Sequence, residues 1–286
     1  MNEFTKTTTA EEVTASFYST TADKKIKIKH FTYSESEQVV TFTWMEEVPV
    51  GTGQIYIKFV GIHNDQMAGF YRSQYTDMDG VKRYMVSTQM EPIDARRTLP
   101  CWDEPNRKAQ FKVTMYVDSH LTALSNMPEV SSKFVKIQQG ALSLTKKEIV
   151  YENSPKMSSY LLAFVIGEFD YIATTSDRGV AIRIYTPPGR SNEGHFALNE
   201  AKNCLDLYED YFGINYPLPK LDMVAIPEFS AGAMENWGLV TYRQVDLLIA
   251  DDASASQKQR VAVVVNHELS HQWFGNLVTM NWWNDL

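Results

Sequence analysis

The sequence is poor in cysteine, in cationic side chains and in long apolar runs, and each shortage excludes something. Only Cys101 and Cys204 are present, far apart, and no Asn-x-Ser/Thr acceptor triplet occurs, so a reducing compartment without N-glycosylation is expected. Twenty-seven Lys and Arg against 35 Asp and Glu leave a net charge of −8, which argues against a nucleic-acid partner. The densest basic stretch, KKIKIKH at 24–30, alternates lysine with isoleucine and reads as a strand with one solvated face. No apolar run is long enough to span a bilayer, and the opening MNEFTKTTTAEE lacks the apolar segment of a secretion signal. A soluble, cytoplasmic chain is the expectation.

What is present is apolar and aromatic. With 286 residues, 44% of them hydrophobic and 12% aromatic, the chain can bury a sizeable core in one large domain or two. From Lys24 to Tyr185, short β-branched and aromatic runs (KIKIKHFTY, QVVTFTW, GQIYIKFVGI, KRYMVSTQM, AQFKVTMYV, SYLLAFVIG and AIRIYT) predict an antiparallel β-domain. Between them DMDG at 77–80, Gln139-Gly140 and DRG at 177–179 suit hairpin turns. At TPPG, 186–189, the texture changes. NEGHFALNEAKNCLDLYEDYFG has helical spacing, with Phe196, Leu205, Tyr208 and Phe212 near one face and Gly213 as its stop, so a domain boundary is placed near 187. Beyond it LDMVAIPEF and LVTYRQVDLLIA read as strands flanking a loop or strand edge, AGAMENWG. A helix follows, with candidate N-caps in 251–256.

That last helix carries VAVVVNHELSHQWFG, 261–275. His267 and His271 are four residues apart, hence on one helical face, and Glu268 directly follows the first. A histidine on a helix is more often a core or surface side chain than a ligand. Two imidazoles at this spacing, however, can grip one zinc ion, which needs a further protein ligand and keeps a position for water, while the adjacent glutamate takes that water's proton. About thirty residues earlier lies FSAGAMENWG, 229–238, in which Glu235 is the one acid and Gly232, Ala233 and Gly238 allow close backbone approach. Alone it would read as a strand-edge turn with a solvated glutamate.

Together, HELSH preceded by GAMENWG resembles the motif pair of the aminopeptidase N (gluzincin) family of zinc metallopeptidases. MEPIDARRTLPCWDEP at 90–105 and NDQMAGFYRS at 64–73 resemble two further blocks of that family, in the same order and closest to its alanine/arginine and puromycin-sensitive branch. The likeness runs from about residue 60 to the end. It implies an α+β, two-domain chain: an antiparallel β-saddle N-terminal domain over 1–187, then the beginning of a thermolysin-like catalytic domain over 188–286. It also implies one zinc ion held by His267 and His271, with Glu268 as general base. Glu235 would hold the free amino terminus of a peptide substrate, assisted by Glu91 and Gln89 from the β-domain. Gly232 and Ala233 would pair with the substrate main chain, and Met234 and Asn236 complete the loop. An ammonium about 4 Å from a carboxylate gains roughly 4 kcal/mol at an effective dielectric near 20, a sufficient anchor for cutting at a chain end.

The sequence departs from the family in two ways. Ser270 stands where alanine is usual, on a position expected to point away from the metal. The family's third zinc ligand is a glutamate in a Trp-Leu-Asn-Glu block after the pair matched by Trp282-Trp283, and it would fall four residues beyond Leu286. The chain is therefore expected to be a fragment, lacking also the family's first strands, with weak or no activity. Two other readings stand beside the aminopeptidase: a non-catalytic peptide-binding or regulatory product, and a thermolysin-type endopeptidase, against which the GAMEN stretch argues. Neither the preferred terminal residue nor the oligomeric state is legible.

Overall fold

The computed structural model describes residues 13–139, 142–250 and 252–285. The polar opening segment, the Gly140 turn position, Asp251 and Leu286 lie outside the described residues. The fold is α+β, dominated by antiparallel sheets. The first half of the chain contributes β1 (Thr14–Ser19), β2 (Lys24–Ser34), β3 (Val39–Trp44), β4 (Gly53–Lys58), β5 (Gly69–Thr76) and β6 (Lys82–Gln89). It continues with β7 (Thr114–Asp118), β8 (Thr122–Ser125), β9 (Glu129–Gln139), β10 (Leu142–Tyr151) and β11 (Phe164–Gly167). β12 (Asp170–Thr175), β13 (Ala181–Thr186), α1 (His195–Phe212), β14 (Lys220–Ile226), β15 (Ala233–Met234), β16 (Leu239–Arg243) and α2 (Ala255–Ser270) complete it.

Among the described residues the strands form four sheets, in the orders β3-β2-β1-β4, β7-β10-β9, β5-β6-β11-β8 and β12-β13-β14-β16-β15. In β2 the lysines face solvent and Ile26 is buried, as the alternation predicts. The 77–80 turn joins β5 to β6, with the Asp77 carboxylate accepting from the Asp79 and Val81 N–H groups, an Asx turn that fixes the hairpin register. DRG turns β12 into β13, where the Ser176 hydroxyl accepts from the Val180 N–H and the Ser176 N–H donates to the Val180 carbonyl.

The five-stranded sheet carries the site. β13 runs parallel to β14 and β14 parallel to β16, with α1 as the crossover between the first pair. All seven residues of β14 are buried, as a central strand covered on both faces requires. The boundary expected at 187 thus falls between two hydrogen-bonded strands of one sheet. α1 buries Ala197, Leu198, Ala201, Cys204 and Leu205, packs Phe196, Tyr208 and Phe212 against the core, and lies along α2.

Three strand expectations need correction. SYLLAFVIG is a strand only from Phe164, because Ser159–Leu161 form a 3-10 turn that buries Tyr160 and Leu161 in the core. AQFKVTMYV pairs as a strand from Thr114, Phe111 being held instead by the Ser154 hydroxyl. LVTYRQVDLLIA leaves the sheet at Arg243, since Gln244–Asp246 turn so that Leu247, Leu248 and Ile249 can enter the core. Cys101 and Cys204 are both free. Among the described residues no helix is long and apolar enough to cross a membrane.

Candidate active site

α2 starts at a capping box: the Ser254 hydroxyl accepts from Gln257 N–H, while the Gln257 side chain accepts from Ser254 N–H. Its buried stripe, Val261, Val265, Glu268 and Leu269, turns His267 and His271 together onto the opposite margin. Their Nε2 atoms face each other at 3.1 Å, with ring planes 86° apart. His271 Nδ1 donates to the Phe274 carbonyl at 2.8 Å, which fixes the ring and leaves the Nε2 lone pair outward. A tetrahedral zinc ion holds two nitrogens about 3.3 Å apart, so this pair fits one ion. Among the described residues no group of three or more His, Cys, Asp or Glu side chains is arranged around a metal, so the described donors number two. Ser270 donates to the His267 carbonyl at 2.7 Å, back along the helix and off the imidazole face.

The GAMEN loop lies against this pair. Glu235 Oε1 is 3.7 Å from His271 Nδ1, and the Glu235 carbonyl accepts from Asn276 Nδ2 at 2.9 Å. A side chain at Gly275 would press on both groups, its Cβ 3.3 Å from His271 Nδ1 and 3.7 Å from Glu235 Oε1. Glu268 is buried and its Oε2 has no hydrogen-bond partner among the described residues. Burial, reinforced by Glu235 and then Glu91, pushes its pKa up to about 9. Burial and Glu235 likewise raise Glu91 to about 7. Burial, then His271, lowers His267. Three carboxyl groups from α2, the loop and the end of β6 therefore share one field, and that field favours a cationic guest.

The remaining expected residues divide. Ala233 and Met234 form an edge strand opposite Tyr242 and Thr241. The Gly232 carbonyl already accepts from Arg243 N–H at 2.9 Å. Asn236 is fully buried, its amide on Thr241 Oγ1 at 3.2 Å, so it braces the loop from within. Gln89 reaches the loop from β6, Nε2 lying 3.5 Å from Met234 Sδ, with Oε1 buried and unpartnered.

Several residues that hold the loop went unsuspected. Tyr71 and Ser73 on β5 donate to the Glu228 carbonyl, and Arg243 donates to the carbonyls of Phe229 and Ser230. Asn126 donates to the carbonyls of both Leu161 and Trp237, at 2.7 and 3.0 Å. Buried Lys220 donates to Ser125 and Gly238 carbonyls, each at 2.7 Å, and lies 2.7 Å from Asp222. Gly238, at φ +81°, passes so close that a Cβ would sit 2.4 Å from the Asn126 carbonyl oxygen. The only sequence signal for these contacts was Gly238 itself. Tyr160, whose hydroxyl lies 3.4 Å from the Gly275 carbonyl, completes the wall near Glu235 and Glu91, and burial raises its pKa.

Comparison with known proteins agrees along most of the chain. A profile described as the Peptidase M1 N-terminal domain matches residues 5–161, and one described as the Peptidase family M1 domain matches residues 196–286. Aminopeptidase M1-B of Oryza sativa subsp. japonica is 53% identical over 253 residues, 88% of this chain and 28% of that protein. Alanine/arginine aminopeptidase of Saccharomyces cerevisiae is 52% identical over 237 residues, 82% of this chain and 27% of that protein. Puromycin-sensitive aminopeptidase of Caenorhabditis elegans is 51% identical over 234 residues, 82% of this chain and 24% of that protein. The chain thus spans less than a third of the length of these relatives.

Proposed function

The chain belongs to peptidase family M1, and from that premise we propose that it carries the first part of a zinc aminopeptidase site, acting on peptides with a free amino terminus. The observation that supports this best is the convergence of the opposed His267 and His271 nitrogens with the Glu235 carboxylate 3.7 Å behind His271. His267 and His271 would hold the metal, which when bound supplies a Lewis acid and an acidified water. Glu268 is the base: its unpartnered Oε2 is poised to accept a proton from a water beside the imidazoles and to return it to the leaving amine. Glu235, with Glu91 beside it, receives the substrate ammonium, whose positive charge relieves the repulsion among the three carboxyl groups. The unpaired edge of Ala233 and Met234 offers backbone groups to an extended peptide. The reducing cytoplasm is the proposed compartment, in keeping with two free thiols.

The deciding experiment compares a tripeptide with its N-acetylated form, by calorimetric binding to this chain in the presence of zinc and by hydrolysis. The free peptide should bind at least tenfold tighter, and Glu235→Gln should remove the preference. Equal binding of the two, or cleavage of the blocked peptide as fast as the free one, would sink the exopeptidase reading. Zinc titration of the His271→Ala chain should show the metal affinity lost.

A further inference from the structure

On the side of the molecule formed by the β5–β6 turn, a cleft of about 420 Å³ opens between that turn and the Pro187-Pro188-Gly189 turn. Tyr75, Met78, Asp79, Glu168, Phe169 and Pro188 are among the residues that line it. The walls are held in register by close packing: Gly189, at φ +86°, would place a Cβ 2.7 Å from Met78 Cγ. Three carboxylates face the cleft against the guanidinium of Arg83, an excess of two negative charges when His120 is neutral.

Asp77 and Arg83 are already committed to each other at 2.9 Å, and the other Asp77 oxygen caps the turn. Glu168 has only the approach of Arg83 at 4.0 Å, and Asp79 has no side-chain hydrogen bond or ion pair among the described residues. Tyr75 is 8% exposed, yet its hydroxyl has no partner among the described residues. Tyr75 shares the lining of the cleft with Asp77, Arg83 and Glu168. A buried phenol without a partner is a polar atom awaiting one.

An anion would meet the excess negative charge. The acidic and imidazole groups that line the cleft form no convergent set of three among the described residues, and Asp77 is already engaged by Arg83. The combination left is unpaired acceptors beside an aromatic wall, which suits a charged donor on a hydrocarbon stem. We propose that this cleft binds an organic cation, a guanidinium or primary ammonium on an apolar stem, with Glu168 and Asp79 taking the charge, Tyr75 accepting one N–H, and Phe169 and Met78 covering the stem. The proposal is independent of the peptidase reading.

The test titrates the 286-residue chain with N-acetyl-arginine amide, whose blocked terminus offers nothing to Glu235, and with its neutral isostere N-acetyl-citrulline amide. The arginine probe should bind with millimolar affinity or better, and the citrulline probe about tenfold more weakly. Glu168→Gln should weaken the arginine probe about fivefold and Tyr75→Phe about threefold. Putrescine binding as tightly as the arginine probe assigns the cleft to free amines, and a preference for the arginine probe assigns it to basic side chains of a peptide. Equal affinity for the two amides overturns the proposal. So does unchanged arginine affinity in Glu168→Gln and Tyr75→Phe proteins that melt with the parent.

Discussion

Replacing Lys220 by methionine removes a buried ammonium from the seam between β8 and the sheet of the site. Its two carbonyl partners, Ser125 and Gly238, lie at 2.7 Å, and its acidic neighbour Asp222 at 2.7 Å. Asp222 is not stranded by the change, because Arg183 Nε remains 2.6 Å from its other oxygen. Gly238 keeps a second donor, Asp222 N–H at 3.1 Å. The loss is therefore two charge-assisted hydrogen bonds and one ion pair, partly offset by the relief of desolvation that lowers the Lys220 pKa, for a net cost of about 2–3 kcal/mol. Scanning calorimetry should show the melting temperature falling by about 5–10 °C. Because Gly238 ends the GAMEN loop, affinity for a peptide with a free amino terminus should fall as well. A melting temperature unchanged or raised would refute the reasoning, since it would mean that hydrocarbon serves this position as well as the cation.

Gly238→Ala should cost at least about 3 kcal/mol, since its Cβ would lie 2.4 Å from a backbone oxygen at a φ that L-residues resist; a urea midpoint equal to the parent's would contradict this. Glu91→Gln should stabilise progressively with pH. The folded Glu91 holds its proton to about 7 while the unfolded residue releases it near 4.5, so the parent is fully stable below 4.5 and loses stability as pH rises to 7. After discounting for solvent screening, the variant's advantage should grow by about 1–2 kcal/mol over that window, and a pH-independent difference would count against the acid cluster. Ser254→Ala removes the hydroxyl arm of the capping box, leaves the backbone arm from its N–H to Gln257, and should cost about 1 kcal/mol in chemical denaturation, with a value near zero showing that the cap is idle.

What the sequence revealed was local. HELSH and GAMEN were readable because helix spacing and short motifs put chemistry on neighbouring residues, and α1, the turns at 77–80 and 177–179 and the alternation of β2 were readable for the same reason. The α+β character was implied by the family resemblance, the change of texture at TPPG showing only where helical spacing begins. What could not be read was long-range pairing. A run such as LVTYRQVDLLIA is equally apolar whether it continues as strand or turns into the core, so only packing decides that it leaves the sheet at Arg243. Asn126 and Lys220 look like ordinary surface residues in the sequence, and their partners lie 111 and 95 residues away. That Glu235 and Glu91 come together was implied by the family resemblance alone, because the approach crosses from just beyond β6 to the loop before β16.

The parallel pairing of β13 with β14 also sets an order of events during synthesis. The β12–β13 hairpin can close as soon as Thr186 is made, but its inner edge has no partner until Ile226 has been added. At about 5–20 residues per second the nascent chain holds that bare edge for roughly 2–8 s, the interval in which chaperones or wrongly paired neighbours compete for it.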